Sequence, residues 1–205
     1  MKKVLSLVLA GSMVLSLAAC GGSKDTASTT DSSAASSAEA SGSDTFKIGA
    51  TGPITGGAAI YGNAVKNGIQ IAVDEINEAG GINGYQIDYN FQDDEHDAEK
   101  AVNAYNNLKD WGMQVLIGTT TSAPCIAVVE KTHADNMFQI TPSGTAVECV
   151  QYDNAYRMCF SDPTQGTESA KYIGENGMAQ KVAVIYDSFD VYSTGIYEAF
   201  AEEAA

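Results

Sequence analysis

Positive charge is scarce in this chain. Eleven Lys+Arg residues stand against 26 Asp+Glu, leaving a net charge of -15 over 205 residues. So acidic a surface repels nucleic-acid phosphates and anionic headgroups, which argues against both as charge-driven partners. Proline is also sparse, at four residues, while 44% of the chain is hydrophobic, the balance of an ordinary globular core. Several chemical motifs are missing. No C-x-x-C pair occurs, so neither a zinc site nor a thioredoxin-like centre is supported. The glycines after the first β-rich run, Gly49, Gly52, Gly56 and Gly57, have the wrong spacing for a dinucleotide fingerprint, and Pro53 interrupts them. No glycine run leads into Gly-Lys-Ser/Thr, which removes a P-loop, and no serine sits in a G-x-S-x-G elbow. His133 falls on a helical stretch and reads as a surface residue. An enzyme therefore has little support, and no cofactor is expected.

The cluster DDEHD (93–97) is the one metal-like stretch. No second His/Asp/Glu motif pairs with it, so it reads as a polar strand end running into a helix cap, and no metal is expected. Cysteine is equally uninformative about catalysis. Beyond Cys20 the chain has Cys125, Cys149 and Cys159, an odd number. They read as small buried hydrophobes, with a Cys149–Cys159 bridge as the alternative.

The chain opens MKKVLSLVLAGSMVLSLAAC: two lysines, a short apolar stretch, then small residues. That is a secretory signal, too short for a stable membrane span. Its end, Leu17-Ala18-Ala19-Cys20, resembles a bacterial lipobox, in which the cysteine is acylated and becomes the first mature residue. Residues 21–45 hold mostly Ser, Thr, Ala and Gly with no aromatic or large aliphatic side chain, and read as a disordered tether. Signal peptide (1–20), tether (21–45), then domain is the layout of a lipid-anchored protein on the outer face of a membrane. Gly21 and the long tether lean toward a single-membrane bacterium.

From Phe46 onward strands and helices alternate. FKIGAT (46–51) reads as a strand, and Val65, Ile69, Ala72 and Ile76 form a helical stripe that ends at Ala79-Gly80-Gly81. YQIDYNFQ (85–92) alternates like an edge strand, and Asp97 caps a helix carrying Ala101, Tyr105 and Leu108. MQVLIG (113–118), MFQI (137–140) and YRMCF (156–160) read as further strands, and a helix after the third strand turns Ile126 and Val129 inward. A helix from about Thr164 and a strand KVAVIYD (181–187) begin a second unit, which stops at Ala205 as if cut within a second lobe. The fold class is α/β with a parallel sheet built from βαβ units.

Hydroxyls and glycines follow several strands at the sheet's carboxyl edge: GPITGGAAIYG, TTTSAP and TPSGT. Ligands of open α/β sheets bind in that crevice. GTTTSAP (118–124) is the sharpest case. Its hydroxyls suit a helix cap, and the free N–H groups of the same helix start suit an anion.

Taken in order, GPITGG, NGIQIAVDEINEAGGING, DDEHDAEKAVNA, VLIGTTTSA, ITPSGTA and SDPTQG resemble the leucine/isoleucine/valine-binding proteins, receptors of branched-chain amino-acid ABC transporters. The resemblance runs from Phe46 to the end. It implies a type I periplasmic binding protein, two Rossmann-like lobes closing on a ligand, with the first lobe at 46–160 and residues 161–205 forming the hinge crossing and the start of the second. The first crossing matches Phe160 to Gly166. The resemblance implies that Ser122 binds the ligand's α-carboxylate. The Ser143 carbonyl, Gly144, and the Thr145 hydroxyl and N–H would hold the rest of the amino-acid zwitterion. Tyr61 would line the side-chain pocket, and Tyr192, allowing a one-residue insertion, would come from the second lobe. Thr119 and Thr120 would be strand-end residues, with Thr121 bordering the site. Some members of the family carry a disulfide where His96 and Thr121 stand here. The implied function is capture of an amino acid by a monomer without chemistry, and its delivery to an ABC permease. A ligand sensor on the same fold, another small polar solute such as an amide or urea, and an exported hydrolase using Ser143 or Ser122 are the alternatives.

Overall fold

The computed structural model describes residues 45–205. The expectations for the leader, for Cys20 and for all but the last tether residue lie outside the described residues.

Five parallel strands make one sheet in the order β2-β1-β3-β4-β5. They are β1 (Phe46–Gly52), β2 (Ile87–Asp93), β3 (Val115–Ile117), β4 (Gln139–Thr141) and β5 (Ala155–Arg157). Helices α1 (Ala59–Glu78), α2 (Ala98–Trp111) and α3 (Ser122–Ala134) connect the first four, and a 3-10 turn at Val147–Val150 precedes β5. The alternation of β3 divides the core in two. Leu116 packs with Tyr105, Leu108, Met113 and Val128 from the α2 and α3 side. Val115 and Ile117 point the other way, to Ile48, Ile87 and Val73 beside α1. The result is a doubly wound sheet with helices on both faces, as parallel strands require.

The sequence reading of α2 agrees with the structure: Asp97 accepts a hydrogen bond from the Lys100 N–H, and Ala101, Tyr105 and Leu108 are buried. β2 is the edge strand expected from its alternation. Elsewhere the structure corrects the sequence. The buried stripe of α1 runs through Gly62, Ile69, Val73 and Ile76, while Ala72 is exposed. Ala and Val are adjacent there, and the larger apolar side chain takes the inward position. In the fifth strand only Ala155–Arg157 form ladder pairs with β4; the Met158 N–H still donates to the Thr141 carbonyl (3.1 Å), and Cys159 and Phe160 run past the sheet. The next helix, α4 (Asp162–Glu175), starts two residues earlier than expected because Ser161 caps it and Pro163 occupies its first turn. Residues 181–187 form no strand. They are exposed, Ile185 fully so, and no neighbouring strand among the described residues offers a ladder to complete. A β-rich run without a pairing partner stays irregular. Helix α5 (Val191–Glu203) packs on α4, where Gly166 meets the Ile196 carbonyl and Phe200 backbone so closely that a side chain has no room.

Candidate functional site

The strand order reverses at β1: the chain leaves it for β2 on one side and returns to β3 on the other. Loops following β1 and β3 therefore diverge at the carboxyl edge and leave a crevice. Each of these loops is held by specific contacts. Asp93, at the end of β2, accepts from the Ile54 and Glu95 N–H groups (2.9 and 3.0 Å) and from the Thr55 hydroxyl (2.6 Å), fixing the loop after β1. Burial pushes its carboxyl up, but these hydrogen bonds outweigh it and hold Asp93 below its ordinary value. Gly62 opens α1 against the same loop, where a Cβ would overlap the Pro53 carbonyl. The DDEHD cluster is thus a latch. Asp97 caps α2, and His96 Nδ1 pairs with Thr121 Oγ1 at 2.9 Å, joining the loops after β2 and β3. Among the described residues, no group of three or more His, Cys, Asp or Glu is arranged to hold a metal ion.

The hydroxyl cluster divides its work residue by residue. Thr119 donates to the Thr121 carbonyl (2.9 Å), and the Thr119 carbonyl accepts from Thr141 (2.6 Å). Thr120 donates to the Thr51 carbonyl (3.3 Å). These bonds tie β1, β3 and β4 together at their ends. The N-cap position of α3 is Thr121, not Ser122, and no side chain caps it. Ser122 is the first helical residue, and its hydroxyl accepts from the N–H groups of Thr145 and Ala146 (3.2 and 3.3 Å). With four hydroxyl residues in a row, the extended Thr121 backbone rather than residue type decides where the helix starts. The first amides of α3 keep no intrahelical partner, and Pro124 removes one donor altogether.

A cavity of about 480 Å³ opens over this helix start, and its wall includes Tyr61, Ser122, Ser143, Thr145 and Tyr192. Gly144 lies beneath that wall, buried, with its N–H on Thr141 Oγ1 (2.8 Å). Sequence reasoning missed Phe160, His96, Cys159 and Asp190, which also line the cavity. His96 lay concealed in an acidic run.

Hydrogen bonding distinguishes the wall residues. Ser143 spends its hydroxyl on the Thr120 carbonyl (2.6 Å), leaving only its main chain for a ligand. The Thr145 N–H donates to Ser122 Oγ (3.2 Å). The Thr145 hydroxyl, by contrast, is buried and has no hydrogen-bond partner. Its carbonyl is fixed from behind by Arg157 Nη1 (2.9 Å) and the Asp162 N–H (3.0 Å). The Asp162 carboxylate is buried close to that hydroxyl without a well-formed hydrogen bond between them; burial raises it above its ordinary value, and the nearby Thr145 hydroxyl works against the rise. No lysine or arginine lines the cavity. A negative group at the start of α3 would meet neutral N–H and O–H donors, while Asp190 puts a carboxylate on another part of the wall.

The chain belongs to the periplasmic binding protein family, whose model matches residues 45–205. Over 155 residues it is 35% identical to the Leu/Ile/Val-binding protein BraC3 of Rhizobium johnstonii, covering 75% of this chain and 42% of that protein. It is 33% identical over 155 residues to the leucine-, isoleucine-, valine-, threonine- and alanine-binding protein of Pseudomonas aeruginosa, with 75% and 41% covered. Among solved structures it resembles the branched-chain amino-acid transporter substrate-binding protein LivJ of Streptococcus pneumoniae, determined with isoleucine. The TM-score is 0.75 at 33% identity, over 78% of this chain and 47% of that one. The chain therefore spans less than half the length of these relatives.

Proposed function

We propose that the protein is an extracytoplasmic solute receptor that captures a branched-chain amino acid and hands it to an ABC permease, binding without chemistry. The observation that carries this reading is the cavity at the switch point. It gathers Tyr61, Ser122, Ser143, Thr145 and Tyr192, offers a free hydroxyl and free helix amides, and has no cation on its wall. Such a site suits a zwitterion: its carboxylate meets neutral donors, so no buried countercharge has to be desolvated. Aromatic Tyr61, Phe160 and Tyr192 around the same space suit an apolar side chain. The relatives named for leucine, isoleucine and valine support that class.

A ligand screen by thermal shift on the native full-length protein tests the class. Leucine, isoleucine or valine should raise the melting temperature in a concentration-dependent way. A shift with urea, simple amides or aromatic acids and none with any amino acid would overturn it. Export and anchoring through acylated Cys20 belong to the same proposal. Cys20→Ser should move the protein from the membrane fraction to the soluble one, and a variant that still sediments with membranes would refute the anchor.

A further inference from the structure

We propose that Cys125 and Cys149 are a disulfide-forming pair that locks the floor of the ligand cavity. The two residues belong to one buried cluster with Ala146, contributed by the first turn of α3 and by the 3-10 turn before β5. Both are completely buried. Gly144 lies against both: a Cβ there would sit 3.2 Å from Cys149 Sγ and 3.4 Å from Cys125 Cβ. The sulfurs hold complementary positions. Cys125 Sγ accepts from Gln139 Nε2 at 3.4 Å, and Cys149 Sγ donates to the Ser122 carbonyl at 3.8 Å. The adjacent Cys149 thiol, aided by Thr119 and Thr141, works against burial and lowers the Cys125 thiol below its ordinary value, while the neighbouring Cys125 and burial push Cys149 up. Both are free thiols in the structure, and either can attack once deprotonated, since the thiolate is the attacking species. Cys159 is placed differently. It is half-buried, donates to the Gly144 carbonyl at 3.7 Å and lines the ligand cavity, so the alternative Cys149–Cys159 bridge is not the pair the packing favours.

The chemistry needs an oxidant, which we assign to a disulfide in the exporting compartment, small-molecule or protein-borne. One of the two cysteines, as its thiolate, attacks one sulfur of that disulfide, forming a mixed disulfide and releasing one thiol. The other, after losing its proton, attacks the sulfur of the first and expels the second thiol. Two cysteines are oxidised, one disulfide is reduced, and the two protons leave with the two released thiols. Because both side chains are buried in the finished lobe, the exchange occurs while α3 and the 3-10 turn are still assembling. Oxidising conditions outside the cytoplasm make the bridge durable, so its natural occurrence rests on the export reading. Its geometry does not. The bridge would tie the helix carrying Ser122 to the turn following Thr145 and Ala146, whose N–H groups Ser122 holds.

Unfolding the native full-length protein and refolding it with mixed oxidised and reduced glutathione tests this directly. Alkylation, digestion without reduction and mass spectrometry should find a peptide joining Cys125 to Cys149, with Cys159 alkylated. The Cys159→Ala variant should form the same link. The bridged protein should melt several degrees above its reduced form, as closure of the loop between the two cysteines predicts. A Cys149–Cys159 or Cys125–Cys159 link would overturn the proposal, as would three alkylated cysteines. Failure of amino-acid binding with the bridge intact would count against the receptor reading and leave the bridge standing.

Discussion

Ser122 and Thr145 show how hydroxyl side chains from beyond the ends of two neighbouring strands, β3 and β4, become one device. Ser122 Oγ takes two N–H groups as acceptor, which leaves its own proton free to donate, while the Thr145 hydroxyl is buried without a partner. Each can donate to a carboxylate, and a hydrogen bond to a charged group contributes roughly 1.5–3 kcal/mol. Thr145→Ala should therefore weaken amino-acid binding about ten-fold or more. Thr119 does not line the cavity and spends its hydroxyl on the Thr121 carbonyl. Thr119→Ala should cost roughly 1 kcal/mol of stability with a smaller effect on affinity. Paired calorimetric and melting measurements on the two variants check that ordering.

Asp94 supplies a pH prediction at the same scale. It is fully buried, one carboxylate oxygen accepts from the His96 N–H (3.0 Å), and the other has no partner. Burial, helped by the nearby charges of Asp93 and Asp97, pushes it up to about 6. A carboxyl raised on folding favours the folded state fully below its unfolded value near 4, and that contribution is lost as pH rises through about 6. Asp94→Asn keeps the acceptor for His96 and removes the charge. It should raise the melting temperature at pH 7.5, by up to about 3 kcal/mol in stability, and change it little at pH 4. Equal effects at both pH values would contradict the assignment.

At the scale of elements, most of the first lobe was legible because periodicity and caps agreed. Asp97, Ala101, Tyr105 and Leu108 announced α2, and the apolar run before GTTTSAP announced β3. What could not be read was set by neighbours distant in sequence. Ser122 looked like a cap because hydroxyl identity is visible and backbone φ is not. Its actual partners, Thr145 and Ala146, lie more than twenty residues away. KVAVIYD carries strand propensity, but a strand exists only as a pair, and none of the described residues pairs with it. The ligand-wall residues came from family motifs rather than from local pattern, and only the folded chain shows Phe160, His96 and Asp190 beside them. Two close approaches make element-level predictions. Gly62→Ala should displace α1 from the Pro53 carbonyl, and Gly166→Ala should wedge α4 from α5. Each should lower stability by about 1–3 kcal/mol, and Gly62→Ala should also weaken ligand binding by shifting Tyr61. Denaturant titrations with unchanged midpoints would refute both.

For the whole molecule, the first sheet is complete in itself, while the region after α4 leaves apolar side chains in solvent. Ile185 and Phe189 are 100% and 99% exposed, and Val182 and Val184 are nearly half exposed. Large exposed apolar patches mark surfaces that have a partner. The protein should bind a hydrophobic dye through this patch, and replacing Ile185 and Phe189 together by serine should lower the fluorescence; an unchanged signal would contradict the patch.

The central claim is that the cavity recognises a zwitterion through its carboxylate. Calorimetric titration of the native full-length protein with leucine and with leucine methyl ester tests it most directly, since the ester keeps the side chain and the ammonium but removes the negative charge. The account predicts that leucine binds and that the ester loses at least as much affinity as Thr145→Ala costs, about ten-fold or more. Equal affinity for acid and ester would contradict the carboxylate site and leave Ser122 and Thr145 as structural residues alone.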